Sequence, residues 1–336
     1  MKKTFITIKD IAQALKIAPS TVSRALKDHP DISQETKDKV VDYAGKMGYQ
    51  PNSIALSLKS RTSHIIGLVI PEIVHHFFSS VISGIDEVAS EAGYNLLISQ
   101  SNESQVRETH NIHTLMGSRV DGLLISRTKE TTDFEHFKQI EKAGVPMVFF
   151  DRTCKEVEAD NVIIDDKRAA FDATEYLINT GCKTIVHLKG PENLTISHQR
   201  LTGYRQALEQ HNIPYNEELV FEADDFEKGK KITDQLIIEK KIPQAIFAVN
   251  DLTALGAIAA LKEAGIRIPE QVSVCGFTNG AISRLSDPPM TTIEQNGFLM
   301  GKKAAKMLLE RIESEESLPP RTEIIPTKLI VRKSTY

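Results

Sequence analysis

Hydrophobic residues near the start of the chain recur with the period of a helix. Positions i, i+3, i+4 and i+7 of the first predicted helix are Ile8, Ile11, Ala12 and Leu15. Thr7 and Asp10 stand where a capping box would begin it. A second helix is predicted to bury Val22, Ala25 and Leu26. A third is predicted to begin at the N-cap Ser33, to bury Val40, Ala44 and Met47, and to end at Gly48.

The connection between the first two helices is short, because only about Lys16–Ala18 separates them. Two short helices joined by so tight a turn, the second beginning with small polar residues, are typical of a helix-turn-helix. A generic three-helix bundle has the same pattern. The apolar period alone leaves both interpretations open.

From Ile65 the pattern changes to short apolar runs of strand length. These runs are 65–70, 95–99, 122–126, 146–150, 162–164, 184–188, 245–249 and 272–277. The helical segments between them often end on a glycine, namely Gly93, Gly144, Gly181 and Gly265. A strand at 291–294, a helix at about 297–313 and a strand at 324–331 follow. This alternation predicts two doubly wound, mostly parallel sheets with a ligand crevice at the carboxyl ends of their strands.

The charge is divided unevenly along the chain. Residues 1–61 hold 11 Lys and Arg against 6 Asp and Glu, a net +5, whereas the whole chain of 336 residues is at −4. A small basic head on an acidic body indicates a polyanionic partner for the head alone.

Other features narrow the class of protein. The three cysteines are far apart, without a CxxC pair, which favours a reducing cytoplasm over a disulfide framework or a metal site. We find no signal peptide, no apolar span for a membrane and no nucleotide-binding or hydrolase motif. The expectation is therefore a cytoplasmic protein with no membrane partner, cofactor, metal or catalytic residues.

Longer motifs carry a resemblance to one family. In the head they are 7–12 (TIKDIA), 20–26 (STVSRAL), 32–37 (ISQETK) and 48–52 (GYQPN). In the body they are 66–71 (IGLVIP), 120–123 (VDGL), 151–152 (DR), 200–204 (RLTGY), 250–251 (ND), 254–256 (ALG) and 289–293 (PMTTI). Over nearly its whole length the chain resembles the lactose-repressor/galactose-repressor family of bacterial transcription regulators.

The resemblance implies an all-α helix-turn-helix head and an α/β body like a periplasmic binding protein. We expect the head at 1–50, a hinge helix or linker at 51–62 and the effector-binding and dimerisation domain at 63–336. Its N-subdomain would span about 63–162 and 293–321, and its C-subdomain about 163–291 and 322–336. A homodimer bound to a pseudo-palindromic, double-stranded DNA operator, with repression as the expected outcome, follows from the same resemblance.

The second helix is expected to enter the major groove with Pro19, Ser20 and Arg24 toward the bases. Thr7, Thr21, Ser23 and Ser33 are expected to meet phosphates or cap helices, although plain surface polarity explains Thr21 and Ser23 equally well. In the hinge, the resemblance places Leu58 as a wedge between base pairs and Asn52, Ala55 and Lys59 near the DNA. Two residues depart from the family pattern: Lys16 replaces a small turn residue, and Ala18 replaces a capping Ser.

The resemblance also places a small carbohydrate-type effector in the crevice. The expected binding residues are Phe77, Phe78, Arg127, Asp151, Arg152, Arg200, Asn250 and Thr278. Here His75–His76 replace a common Asn-Pro, and Thr278–Asn279 follow a strand where many members have Asp. Three nearby arginines and a missing carboxylate suggest the hypothesis of an anionic effector, such as a sugar acid or sugar phosphate.

Two other classes of protein compete with this interpretation. A soluble sugar-binding protein without a regulatory role would explain the body but neither the head nor the hinge. A nucleotide-dependent enzyme would explain the alternation of strands and helices, but its phosphate-binding motifs are absent from the sequence.

Overall fold

The computed structural model describes residues 6–49, 62–314, 316 and 318–336. By its internal contacts the chain divides into a head, residues 1–63, and a body, residues 64–336. Within the described head are three helices: α1 (Ile8–Leu15), α2 (Pro19–Ala25) and α3 (Gln34–Lys46).

The core of the head consists of the predicted apolar faces. Its buried members are Ile11, Ala12, Val22, Ala25, Val40 and Ala44. The capping box of Thr7 and Asp10 and the N-cap at Ser33 are confirmed. Leu26 is only half-buried. Met47 was expected inside but is 47 % exposed, because the chain leaves the helical path there and Gly48 takes a φ of +63°.

The body contains two six-stranded sheets. The first has β1 (Ile65–Ile70), β2 (Asn95–Gln100), β3 (Gly122–Ile125), β4 (Met147–Phe150), β5 (Asp160–Ile164) and β11 (Thr322–Ile325), in the order β11-β5-β4-β3-β1-β2. The second has β6 (Ile185–Lys189), β7 (Val220–Glu222), β8 (Ala245–Ala248), β9 (Ser273–Thr278), β10 (Thr291–Glu294) and β12 (Lys328–Ile330), in the order β12-β10-β9-β8-β6-β7. All pairs are parallel except β10 with β12.

Helices connect these strands. They are α4 (His76–Glu91), α5 (Gln105–Gly117), α6 (Glu135–Lys142), α7 (Asp166–Asn179), α8 (Thr195–Gln210), α9 (Phe226–Ile238), α10 (Asp251–Glu263), α11 (Ala281–Leu285) and α12 (Gly297–Glu313). A short 3-10 turn at Glu217–Leu219 precedes β7. The four glycines expected to end helices all have positive φ, which confirms that prediction.

Three connections pass between the sheets, and the last one differs from the sequence-based expectation. One strand was expected at 324–331, within the second subdomain. Instead β11 pairs with β5 in the first sheet, and β12 pairs with β10 in the second. Pro326 and Thr327 separate the two strands, so the chain changes sheets there rather than near residue 321.

The other crossings also fall slightly later than expected. The first sheet keeps β5 as far as Ile164, and the second keeps β10 as far as Glu294. Both sheets have apolar cores on their two faces, with fully buried residues such as Leu68, Phe149 and Phe247. This burial of both faces is what a parallel sheet requires. Polar side chains are therefore expected mainly at the ends of the strands.

Candidate nucleic-acid interface and effector crevice

The turn before α2 forms despite its two unusual residues. Lys16 takes the left-handed conformation, with φ 53° and ψ 41°, which costs a non-glycine residue about 1 kcal/mol. Ala18 supplies no side-chain cap to α2, whereas Pro19 at the first helical position has the φ that a helix start needs. The helix-turn-helix geometry therefore survives both departures.

One face of α2 is polar and accessible. Pro19, Ser20 and Arg24 are exposed, and Thr21 and Ser23 are half-buried. Ser20 and Arg24 lie one helical turn apart on the same side. Within the described part of the chain, the Arg24 guanidinium makes no hydrogen bond or ion pair. Its donors are thus available to an external acceptor.

The other two polar residues expected in the interface act as helix caps. Thr7 Oγ1 accepts from the Asp10 amide at 3.3 Å, and the Thr7 amide donates to Asp10 Oδ2 at 2.8 Å. Ser33 Oγ accepts from the Thr36 amide at 3.4 Å. Both side chains are exposed, so capping leaves them accessible to a phosphate. The hinge candidates Asn52, Ala55, Leu58 and Lys59 lie outside the described residues.

A cavity of about 510 Å³ lies where the carboxyl ends of the two sheets face each other. Seven of the eight predicted effector-binding residues line it: Phe77, Phe78, Asp151, Arg152, Arg200, Asn250 and Thr278. They follow β1, β4 and β8, end β9, or lie on α8, which begins after β6. This is the position at which doubly wound sheets bind ligands.

Arg200 is fixed before any ligand binds. Its Nε donates to Asp166 Oδ1 at 2.7 Å, its Nη1 donates to the Val249 carbonyl at 2.7 Å, and its guanidinium lies 3.7 Å from the centre of the Phe277 ring. Burial raises the pKa of Asp166 to about 6, although Arg200 opposes this rise. Both charges are almost fully buried.

The Arg-Leu-x-Gly-Tyr pattern has a packing reason. A Cβ at Gly203 would lie 2.2 Å from the Lys167 carbonyl oxygen on α7, so only glycine lets α8 approach so closely. Tyr204 is fully buried and donates from its hydroxyl to the Ile185 carbonyl at 2.8 Å. Together they set the depth and rotation of α8, and thereby the position of Arg200.

Asp151 and Arg152 present unused polar groups to the cavity. Asp151 has a φ of +59° and is only 6 % exposed, and burial raises its pKa even though two arginines oppose the rise. Arg152 binds Glu103 through Nη1, but its buried Nε has no hydrogen-bond partner. Ser197, which also lines the cavity, has a buried hydroxyl without a partner. The Arg152 Nε also lies 3.9 Å from Asp151 Oδ2, so the two charges are close neighbours in this wall of the cavity.

Arg127 does not line the cavity, unlike the prediction. Its guanidinium donates to the carbonyls of Thr153 at 2.9 Å, Thr131 at 3.2 Å and Asn193 at 2.6 Å. Its donors are thereby occupied by backbone acceptors, which leaves it a structural rather than a ligand-binding part of the crevice.

Asn250 has a structural task beside its place in the cavity. Its Oδ1 accepts from the Thr253 amide at 2.8 Å and caps α10, while its Nδ2 donates to the Asp224 carbonyl at 2.8 Å. Thr278 has a φ of +140° at the end of β9, and the next residue, Asn279, is turned away toward Glu294 and Arg332.

The sequence-based prediction missed most of the charge in the cavity. Six carboxylates line it, those of Glu72, Glu103, Asp151, Asp224, Asp225 and Asp251, against the cations Lys129, Arg152 and Arg200. Each cation is already paired with a carboxylate. The missed residues follow β1, β2, β3, β7 and β8. Their positions at strand ends were the available signal, except for Asp224 and Asp225, because β7 has no apolar run in the sequence. This balance counts against the anionic effector suggested by the arginines alone.

Two family models match the chain, one in the head and one in the body. Residues 7–52 match the model of bacterial regulatory proteins of the lacI family, and residues 174–335 match a periplasmic binding protein-like domain. The chain is 34 % identical to the HTH-type transcriptional repressor CytR of Escherichia coli K12 over 335 residues, 99 % of this chain and 97 % of that protein. The chain belongs to the lacI family.

A second relative and a solved structure are similar to the chain over almost its whole length. The ribose operon repressor of Halalkalibacterium halodurans is 33 % identical, with 98 % of this chain and 97 % of that protein covered. A crystal structure of the lac repressor dimer bound to operator and an anti-inducer superposes with a TM-score of 0.87 at 26 % identity, over 99 % of both chains.

Membership of this family fixes the broad function. The protein is a DNA-binding transcription regulator and not an enzyme. Among the described helices, none is long and apolar enough to cross a membrane.

Proposed function

We propose that this lacI-family protein represses transcription by binding a pseudo-palindromic operator as a homodimer, and that a small neutral polyhydroxylated effector in the crevice controls it. The observation that carries the proposal is the exposed Arg24 on the polar face of α2, whose guanidinium has no partner among the described residues. The body of the same chain holds a ligand-sized cavity. Its partner being DNA, we place the protein in the cytoplasm.

The roles in DNA binding follow from donor chemistry. Arg24 would bond guanine O6 and N7 together, which discriminates against a wrong base by about 1–3 kcal/mol. Ser20, on the same face, donates or accepts and so discriminates weakly. Pro19 offers only apolar contact. Thr7, Thr21, Ser23 and Ser33 would fix the register by binding phosphates.

The hinge residues complete the proposed interface by resemblance alone. Leu58 would wedge into a base step in the minor groove, with Asn52 and Ala55 beside it and Lys59 at a phosphate. A two-fold dimer presents two such heads to two half-sites, which is why the operator is expected to be a pseudo-palindrome.

The chemistry of the cavity supports a neutral effector. Arg152 and Arg200 are neutralised by Glu103 and Asp166, so an added anion would meet an excess of carboxylates. Asp151 accepts hydrogen bonds, and Phe77 and Phe78 offer apolar faces. A ring that carries hydroxyl groups fits both, because its hydroxyls donate to Asp151 and its C–H face packs on the phenylalanines.

Control of DNA binding follows from linkage. An effector that prefers one angle between the two sheets shifts the protein toward that angle, and the operator affinity changes by the same coupling free energy. An effector that lowers the affinity is an inducer, and one that raises it is a co-repressor.

A mobility-shift assay with genomic fragments tests the DNA-binding part. We expect the full chain to retain a specific fragment against excess random DNA, and the Arg24→Ala variant to lose that specificity. Lys9→Ala removes a different exposed charge of the head and serves as the matched control. Equal retention of all fragments by the wild-type protein would refute the assignment.

Calorimetry tests the effector part. We expect a neutral pentose or hexose to bind and its sugar acid or phosphate to bind at least about tenfold more weakly, since an unpaired charge beside Asp151 costs more than 1.4 kcal/mol. Asp151→Asn should weaken the neutral ligand. Binding of the anionic sugars alone would contradict the proposal.

A further inference from the structure

Glu103 occupies an unusual place at the edge of the crevice. It follows β2 in a tight turn in which both Asn102 and Glu103 have left-handed backbone, with φ of +51° and +58°. Asparagine adopts this conformation at little cost, whereas glutamate does not, so the backbone of Glu103 is strained. Strain of this kind at a site that could be relaxed by substitution indicates that the side chain is required where the turn places it.

The carboxylate of Glu103 joins two separate elements. Both of its oxygens accept from Arg152 Nη1, at 2.8 and 2.9 Å, and Oε2 also accepts from the Lys129 amide at 2.8 Å. Arg152 lines the cavity, and its guanidinium carbon lies 5.9 Å from the centre of the Phe78 ring. Glu103 thus links a cavity wall to the loop after β3.

That loop reaches the opposite sheet. Lys129 Nζ donates to Asp224 Oδ2 at 2.7 Å, and Asp224 follows β7 of the second sheet. From the same loop, Arg127 Nη2 donates to the Asn193 carbonyl at 2.6 Å, after β6. These two contacts join the two sheets across the crevice, and Arg127 and the Asp224 side chain are only 6 % and 11 % exposed.

The base of the loop is held by the helix α5 of the first subdomain. Glu108 is fully buried and accepts from the Thr128 amide at 2.7 Å, from Thr131 Oγ1 at 2.7 Å and from His136 Nε2 at 3.0 Å. A loop anchored at this depth transmits a displacement of its tip instead of absorbing it.

We infer that Glu103 is a positioning residue that couples Arg152 in the cavity to the cross-crevice bridge of Lys129 and Asp224. A group that draws Arg152 toward the cavity loosens its hold on Glu103, and the Lys129 loop shifts with it. Making or breaking the bridge then sets the angle between the two sheets. This regulatory role rests on the proposed function of the crevice, but the coupling itself requires neither effector nor DNA.

The coupling is measured as a distance across the crevice. Spin labels at Glu130→Cys and Glu227→Cys, both exposed and on opposite sides of the bridge, report that distance by pulsed electron resonance. The native cysteines are buried, and burial raises the pKa of the Cys154 thiol to about 12, so they do not compete for the label. Labelled protein is exchanged with excess unlabelled protein, so that distances within one chain are read.

Three variants separate the parts of the coupling. Lys129→Ala and Glu103→Gln are each expected to raise the ratio of long to short distances roughly fivefold, the change that about 1 kcal/mol produces. Lys228→Ala is the matched control, because Lys228 lies on α9, on the same side of the crevice as Asp224, and binds that carboxylate at 2.5 Å. It should leave the ratio at the wild-type value.

A measurement on the wild-type protein at high salt tests the same bridge without a substitution, so it does not depend on how well the variants fold. In about 1 M KCl the Debye length is about 3 Å, and the Lys129 side chain is 30 % exposed, so salt should weaken its pair with Asp224 in part. The wild-type ratio should rise, by less than the Lys129→Ala substitution raises it, while the Lys129→Ala ratio changes little. A shift with Lys129→Ala but none with Glu103→Gln would overturn the role of Glu103. If neither variant nor salt changes the ratio of long to short distances, the Lys129–Asp224 bridge does not set the angle between the sheets. That result would leave the proposed DNA-binding function unaffected.

Discussion

Gly203→Ala is the substitution for which the structure gives the clearest magnitude. The added Cβ would lie 2.2 Å from the Lys167 carbonyl oxygen and 2.8 Å from the Phe171 amide nitrogen. Both are backbone atoms of α7, so relief requires α7 and α8 to move apart by roughly 1 Å rather than one side chain to rotate.

Two opposing terms give the expected change. Overpacking costs about 1–3 kcal/mol, near the upper end here because only backbone can yield. Alanine is the better helix former by about 1 kcal/mol, which offsets part of that cost. We expect a net loss of about 2 kcal/mol in the free energy of unfolding. Arg200 on α8 would also be pulled from Asp166 on α7, so effector affinity should fall too.

Urea unfolding of the full chain, followed by far-ultraviolet circular dichroism, measures the stability. Gly117→Ala is the matched control, because it makes the same change at the end of α5, where a Cβ meets nothing within 4 Å. We expect the control to be neutral or slightly stabilising. Equal unfolding midpoints for Gly203→Ala and the wild type would refute the close approach of α7 and α8.

Three further predictions concern single side chains. Arg24→Lys should keep most of the non-specific DNA affinity but lose roughly 5- to 100-fold of the preference for the specific fragment, because an ammonium does not bind guanine through two parallel bonds; fluorescence anisotropy with both DNAs measures the ratio. Lys16→Gly should stabilise the head by about 0.5–1 kcal/mol by removing the left-handed strain, read as slower amide hydrogen exchange in α1 and α2, and unchanged exchange would contradict it. Asp166, whose pKa burial raises to about 6 from an unfolded value of 3.8, retains a proton in the folded state that the unfolded chain has released. Asp166 alone should therefore lower the free energy of unfolding by up to about 3 kcal/mol as the pH rises from 4 to 6. Asp166→Asn should remove that contribution and leave the smaller slope of other buried carboxyls such as Asp151, and an unchanged slope would contradict the prediction.

The regular elements of the fold were largely predictable from the sequence. Strands such as β1 and β10 and the helix α12 have the predicted bounds, because buried parallel strands read as continuous apolar runs and their helices end at turn residues. The missed strand, β7, is three residues long and half-exposed at a sheet edge, so it has no apolar run to detect.

The last two strands, β11 and β12, were predicted as one strand for a different reason. Residues 324–331 look like one strand, but the chain changes sheets at Pro326 and Thr327. Which sheet a strand joins depends on pairing with β5 or β10, residues far away in sequence. No local pattern contains that information.

The crevice was predictable in location but less so in charge. The resemblance to the family, and not a local pattern, supplied the seven predicted residues that line the cavity. Arg127 was misplaced because its acceptors are backbone carbonyls, one of them 66 residues away, and a sequence does not show which carbonyls are near. Glu103 and Lys129 belong to no motif, and only the fold brings them to the same edge.

Selection of binding sites from randomised duplex DNA measures whether Arg24 reads bases in an operator. Full-length wild type and Arg24→Ala are compared under identical salt. We predict that the wild type enriches a pseudo-palindrome, and that the variant loses its base preference at one symmetric pair of positions while keeping the spacing of the half-sites. Absence of any enriched sequence, or the same sequence preference in both proteins, would contradict the account.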